Sequence, residues 1–192
     1  RPLEPFPSGM ESIAGDGGQM GEKIGLRFSE ELSGYLGEGI DDFAEGERAG
    51  KEKNNKISFD LKIFIGDLDK FCSLSGRKAT FEGAVCFPPL GRNLPVRNGE
   101  FSLFVPDRET GKRQMIYSFA FTGRDGNDYL LAGHKILHHE PRQFDLSDDI
   151  TTLYTRLYRG ASSQAPLFGT GILNFRLSTL PFMLASFQVT GV

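Results

Sequence analysis

Tryptophan is absent, cysteine occurs twice and no run of 18 apolar residues exists. Each absence excludes something. Without a long apolar run no helix of this chain spans a bilayer. Cys72 and Cys86 are too few for a small domain stapled by disulfides, and free thiols are expected. No charge of one sign dominates: 22 basic against 25 acidic residues leave a formal charge of −3. That balance gives no electrostatic footprint for nucleic acid or for anionic lipid. The chain opens at Arg1 with neither an initiator Met nor a signal peptide, which reads as a processed or excised segment. A cytoplasmic setting is slightly favoured, with the compartment left open.

Chemical motifs are also scarce. G-x-S-x-G and G-x-x-x-x-G-K-[ST] do not occur. Gly169-Thr170-Gly171 begins like a dinucleotide fingerprint, but no third glycine follows in place, and a bent strand explains the pair better. His134, His138 and His139 invite a metal reading. On a strand, however, positions four apart lie roughly 13 Å from each other, too far for one ion. Asp145, Asp148 and Asp149 lack the spacing of a calcium loop and read as a solvated acidic loop. No catalytic residue, metal or cofactor is assigned, and an enzymatic role for this chain is left uncertain, with the negative favoured.

What the sequence does have is phenylalanine and glycine, 17 and 24 respectively in 192 residues. The length suits one domain. The phenylalanines fall at alternating positions, which suits one buried face of a pleated sheet. Ile57, Phe59, Leu61, Ile63 and Ile65 share a face opposite Ser58, Asp60 and Lys62. Further strands are predicted from Ile24, over Ala79–Phe87, Phe101–Val105 and Met115–Phe121, from Tyr129, over Thr151–Tyr158 and Gly171–Leu177, and near Val189. Asn98-Gly99, Thr110-Gly111 and Asp125-Gly126 read as turns. Residues 37–55, charged and broken by glycine, read as a long mobile surface loop with at most one helical turn. Leu180 to Ala185 reads as a short apolar helix behind a Ser178 cap.

The expectation is therefore an all-β protein: an antiparallel barrel of about eight strands with one short C-terminal helix, a β-sandwich being the alternative. Residues 1–21 form a flexible arm and 22–192 the barrel domain. Phe59, Phe81, Phe101 and Phe119 are expected in a mostly filled interior. His134, Tyr154, Arg156 and Tyr158 are candidate ligand contacts, since the last three share one face of a strand; the competing reading puts that face on the outside of the barrel.

Several segments, taken in order, carry a family resemblance: Phe28–Gly34 (FSEELSG), Ile63–Asp69 (IFIGDLD), Tyr117–Gly123 (YSFAFTG), Tyr129–Lys135 (YLLAGHK), Asp149–Tyr154 (DITTLY) and Gly169–Leu173 (GTGIL). This succession resembles an accessory β domain of cholesterol-oxidase-like proteins of the glucose–methanol–choline oxidoreductase family. The resemblance implies association with a flavin enzyme acting on apolar alcohols, and it carries across no catalytic residue. Three functions follow as expectations: a non-catalytic accessory domain that takes an apolar small molecule or docks on an oxidoreductase; a barrel-mouth enzyme of cyclase or isomerase type using His134, Arg156 or the acidic loop; or a purely structural interaction module.

Overall fold

The computed structural model describes residues 24–67, 70–71, 78–137, 152–175 and 188–191. Ten strands and one helix lie among them: β1 Ile24–Glu38, α1 Phe43–Glu52, β2 Lys56–Ile65, β3 Lys78–Phe87, β4 Gly91–Pro95, β5 Arg97–Pro106, β6 Arg113–Thr122, β7 Asp128–Leu137, β8 Thr152–Arg159, β9 Leu167–Phe175 and β10 Gln188–Gly191. All pairings between them are antiparallel.

The sheet closes on itself. β4 and β5 pair with successive halves of β3 and make one bent stave. β10 and β9 pair with successive parts of the same β1 strand, Ile24–Arg27 and Leu32–Glu38. The order β1–β2–β3–β4/β5–β6–β7–β8–β9 therefore returns to β1 as a barrel of eight staves. The barrel expectation holds over the sandwich.

Alternation fixes which side chains enter. Along β2 the buried positions are Ile57, Phe59, Leu61, Ile63 and Ile65, and along β8 they are Leu153, Thr155 and Leu157. Phe59, Phe81, Phe101 and Phe119 are all buried, as expected. Phe59 packs against Phe119 with centroids 5.4 Å apart, and the rings of Phe81, Phe101 and Phe119 belong to one continuous column. From one end it runs Phe71, Phe101, Tyr117, Phe81, Phe119, Phe121, Tyr129, Phe168 and Phe87, with successive centroids 5.1 to 6.4 Å apart. Most pairs are edge-on or tilted, the favourable arrangement for ring quadrupoles. An eight-stave barrel has an interior just wide enough for side chains to fill, and here rings fill it.

Closure needs glycine where β9 meets β1. A Cβ on Gly171 would lie 2.0 Å from the Tyr35 carbonyl oxygen. The pair Gly169 and Gly171, read from sequence as a place for a strand to bend, thus permits the seam itself.

Two local expectations are corrected. Asn98-Gly99 is no turn. Asn98 has φ 52° and the register of β5 against β6 slips between Arg97 and Glu100, so the pair is a bulge within a continuing stave. The segment 37–55 is no loose loop. β1 runs to Glu38, and ten residues then form α1. Asp42 caps it, accepting the Glu45 N–H at 2.9 Å. Gly46 and Gly50, which made the segment look broken, bring the helix backbone onto the sheet. A Cβ there would collide with Thr170 and with the Leu36 backbone, respectively. α1 is the one helix named among the described residues. The short helix expected at Leu180 to Ala185 lies outside the described residues, as do residues 1–21, Cys72, His138, His139 and the acidic loop of Asp145, Asp148 and Asp149.

Two consequences are measurable. Phe119→Ala, which empties the middle of the ring column, should lower unfolding free energy by about 3–5 kcal/mol in chemical denaturation. Thr80→Ala, on the exposed phase of β3, should cost under about 0.5 kcal/mol. Equal effects would contradict the assignment of inside and outside.

Candidate functional site

Two polar clusters stand out, one inside the barrel and one outside. The inner one breaks the apolar phase of two strands. On β1, Glu30 lies in phase with Leu32 and Leu36; on β7, Lys135 lies in phase with Tyr129 and Leu131. Glu30 is 5% exposed and Lys135 0%. The Lys135 Nζ donates to Glu30 Oε1 at 2.9 Å. The Tyr117 hydroxyl of β6 donates to Glu30 Oε2 at 3.0 Å and reaches Oε1 at 3.3 Å. The ammonium also sits 5.1 Å from the centroid of the Tyr117 ring, within cation–π range.

β6 is four staves from β1 in either direction round the barrel. The Tyr117–Glu30 hydrogen bonds therefore cross the full lumen. Burial, then the Glu30 charge and the hydrogen bond to it, hold the Tyr117 phenol well above its ordinary pKa, so it stays a neutral donor. Carboxylate, ammonium and phenol satisfy one another, as buried charges must.

The outer cluster holds three of the four residues singled out in the sequence. His134 on β7 and Tyr154 on β8 are directly opposite in register. Their rings stack with centroids 5.4 Å apart and 26° between planes. Phe43, the first residue of α1, sets its ring against both, at 5.7 Å from His134 and 5.4 Å from Tyr154. Arg156 lies over the other part of that ring, its Cζ 4.6 Å from the centroid, and its guanidinium binds Asp41 at 3.0 Å. Tyr158 is one step further along the same face, between Leu130 and Leu167 in register.

All four face outward, alternating with the buried Leu153, Thr155 and Leu157. The face is half-buried, with the Phe43 ring at the start of α1 and the Asp41 carboxylate just before it set against it. Thr170 strengthens the attachment: its hydroxyl lies 2.9 Å from the carbonyl oxygens of Ile40 and of Asp42, to either of which it can donate. Burial, then the nearby Arg156 charge, pulls the His134 pKa below the ordinary imidazole value; Asp107 opposes this weakly. The chemical capacity of this face is aromatic stacking and cation binding to a ring. None of its residues is placed as nucleophile and base.

Glu30, Tyr117 and Lys135 were missed as a group. A signal existed: one acid and one base of opposite charge, each in the buried phase of an alternating strand. Their meeting across the lumen follows only from the strand order. Phe43 and Asp41 were missed because the helix carrying them into place was read as loop.

The inner cluster predicts a mutational asymmetry. Lys135→Met or Glu30→Leu alone should cost about 3–5 kcal/mol, because each leaves an uncompensated buried charge. The double variant should recover most of that loss. Denaturant midpoints at constant slope measure it, and an additive double variant would contradict a coupled pair.

No family model, no curated protein and no solved structure matches the chain.

Proposed function

We propose that this domain is a non-catalytic accessory module that works through its outer surface, docking on an oxidoreductase rather than carrying a small molecule in its barrel. One observation carries the reading: the lumen is occupied from end to end by aromatic rings and crossed by the Glu30–Lys135–Tyr117 bridge. Ligand sites in barrels need a void lined by apolar groups with a few polar anchors. Here the apolar groups contact each other, and the polar anchors are spent on each other. A barrel-mouth enzyme using the same groups would need an acid or base free to exchange protons with a substrate. Glu30 is already shared between Lys135 and Tyr117. The choice of partner rests on the resemblance to accessory domains of glucose–methanol–choline proteins.

The lumen part of this reading is tested with a fluorescent apolar probe, a labelled fatty acid or a sterol analogue, titrated into folded protein. No saturable one-to-one binding is expected. Stoichiometric binding competed by unlabelled sterol would replace docking with ligand carriage. The partner part is tested by gel filtration of the domain mixed with a glucose–methanol–choline flavoenzyme from the same source. Co-elution at a fixed ratio is expected, and independent elution at micromolar concentrations of both would remove the oxidoreductase from the proposal.

A further inference from the structure

The start of α1 places a histidine among two aromatic rings and beside an arginine. His134 packs against both Phe43 and Tyr154, whose rings also touch each other. Arg156 sits on the same Phe43 ring. The N-terminus of α1, which begins at Phe43, carries the positive end of the helix dipole. A neutral imidazole packs well there. An imidazolium would lose solvent and meet the Arg156 charge.

The other charged and titratable groups on this face do little to offset that. Asp41 is held by Arg156. Asp42 caps the helix by accepting the Glu45 N–H, and the Glu45 carboxylate, in the first turn, lies 3.8 Å from Arg48. Glu47 of α1 pairs with Lys51. Among the described residues Asp107, from the turn between β5 and β6, is the remaining carboxylate whose charge reaches the ring, and it is exposed and engaged with Thr110. Tyr154 is the phenol beside the imidazole. On β6 the residue opposite His134 is Ile116, with Gln114 next on that face, and neither carries charge.

From this geometry we propose that α1 is a pH-sensitive latch: its first turn is held on the barrel by Phe43 while His134 is neutral and lets go when His134 is protonated. The sign follows from the packing. The docked state disfavours the proton and the undocked state takes it at the ordinary imidazole pKa, about 6.5. Docking is therefore at full strength above that value and weakens as pH falls below it, by at most about tenfold per pH unit for one proton. Release uncovers the His134–Tyr154 face and the Thr170 hydroxyl. The latch does not depend on the docking function proposed above.

Hydrogen exchange measured by mass spectrometry, normalised to intrinsic rates, reads the latch directly. Between pH 7.5 and pH 5.5, protection of residues 40–50 should fall about threefold to tenfold in the wild type, while that of β2 stays constant. In His134→Gln, which cannot protonate, residues 40–50 should keep the same protection at both values. No fall in the wild type, or an equal fall in His134→Gln, would overturn the proposal. Should His134→Gln fail to fold, the double variant His138→Gln, His139→Gln leaves His134 as the sole histidine for titration by nuclear magnetic resonance. A midpoint below the ordinary imidazole value supports the latch, and one at or above it refutes it.

Discussion

The width of an eight-stave barrel is the constraint from which the rest of this structure follows. At that size the interior accepts side chains and little else. The chain fills it with phenylalanine and tyrosine, whose rings interlock edge to face along the barrel axis. A filled lumen permits only two kinds of polar group: those satisfied internally and those turned outward. Glu30, Lys135 and Tyr117 are of the first kind. Their contact spans opposite walls, so it can form only when β1, β6 and β7 hold their places in the closed order. Such a bridge contributes little net stability over an apolar filling, because desolvation of two charges offsets most of the attraction. Its physical effect is discrimination: a barrel closed in another register would leave both charges buried and alone.

The outer wall obeys the complementary rule. Alternation along β7 and β8 sends His134, Tyr154 and Arg156 outward, where a simple barrel would leave them wet. Here Phe43, at the start of α1, and Asp41 just before it cover part of them. Two glycines let the helix approach the β1–β9 seam, and one phenylalanine anchors its first turn among the outward rings. The seam and the helix thus depend on each other's small residues: Gly37, Gly46 and Gly50 meet where the sheet closes and the helix crosses. A helix with two internal glycines is intrinsically weak, by roughly 1 kcal/mol for each. Tertiary contact holds it, and contact held by one ionisable ring can respond to protons.

Strand identity was legible from period alone, because each stave has one buried and one wet face. Ile57 to Ile65 and Met115 to Phe121 could be assigned without any partner. Asp125-Gly126 was legible as a turn because Gly126 does adopt a positive φ, 78°. Asn98-Gly99 has the same local chemistry and a different fate. Both turn and bulge use a left-handed residue, and only the neighbouring strands decide between them. The helix was illegible for the opposite reason. Its propensity is poor, and its burial pattern of Phe43, Gly46 and Gly50 has small residues where an apolar stripe would be sought.

The sequence by itself determined the β class, the filling of the interior by alternating aromatic rings and the scarcity of catalytic motifs, since these depend on residue type and spacing along one strand. Only the tertiary structure decided which stave closes on which, that an acid and a base 105 positions apart meet across the lumen, and that His134, Tyr154 and Arg156 lie outside at the start of a helix rather than inside around a ligand. The physical reason is that period two tells the two faces of a strand apart and does not say which strand lies opposite. That information resides in the closure of the sheet, which no single segment contains.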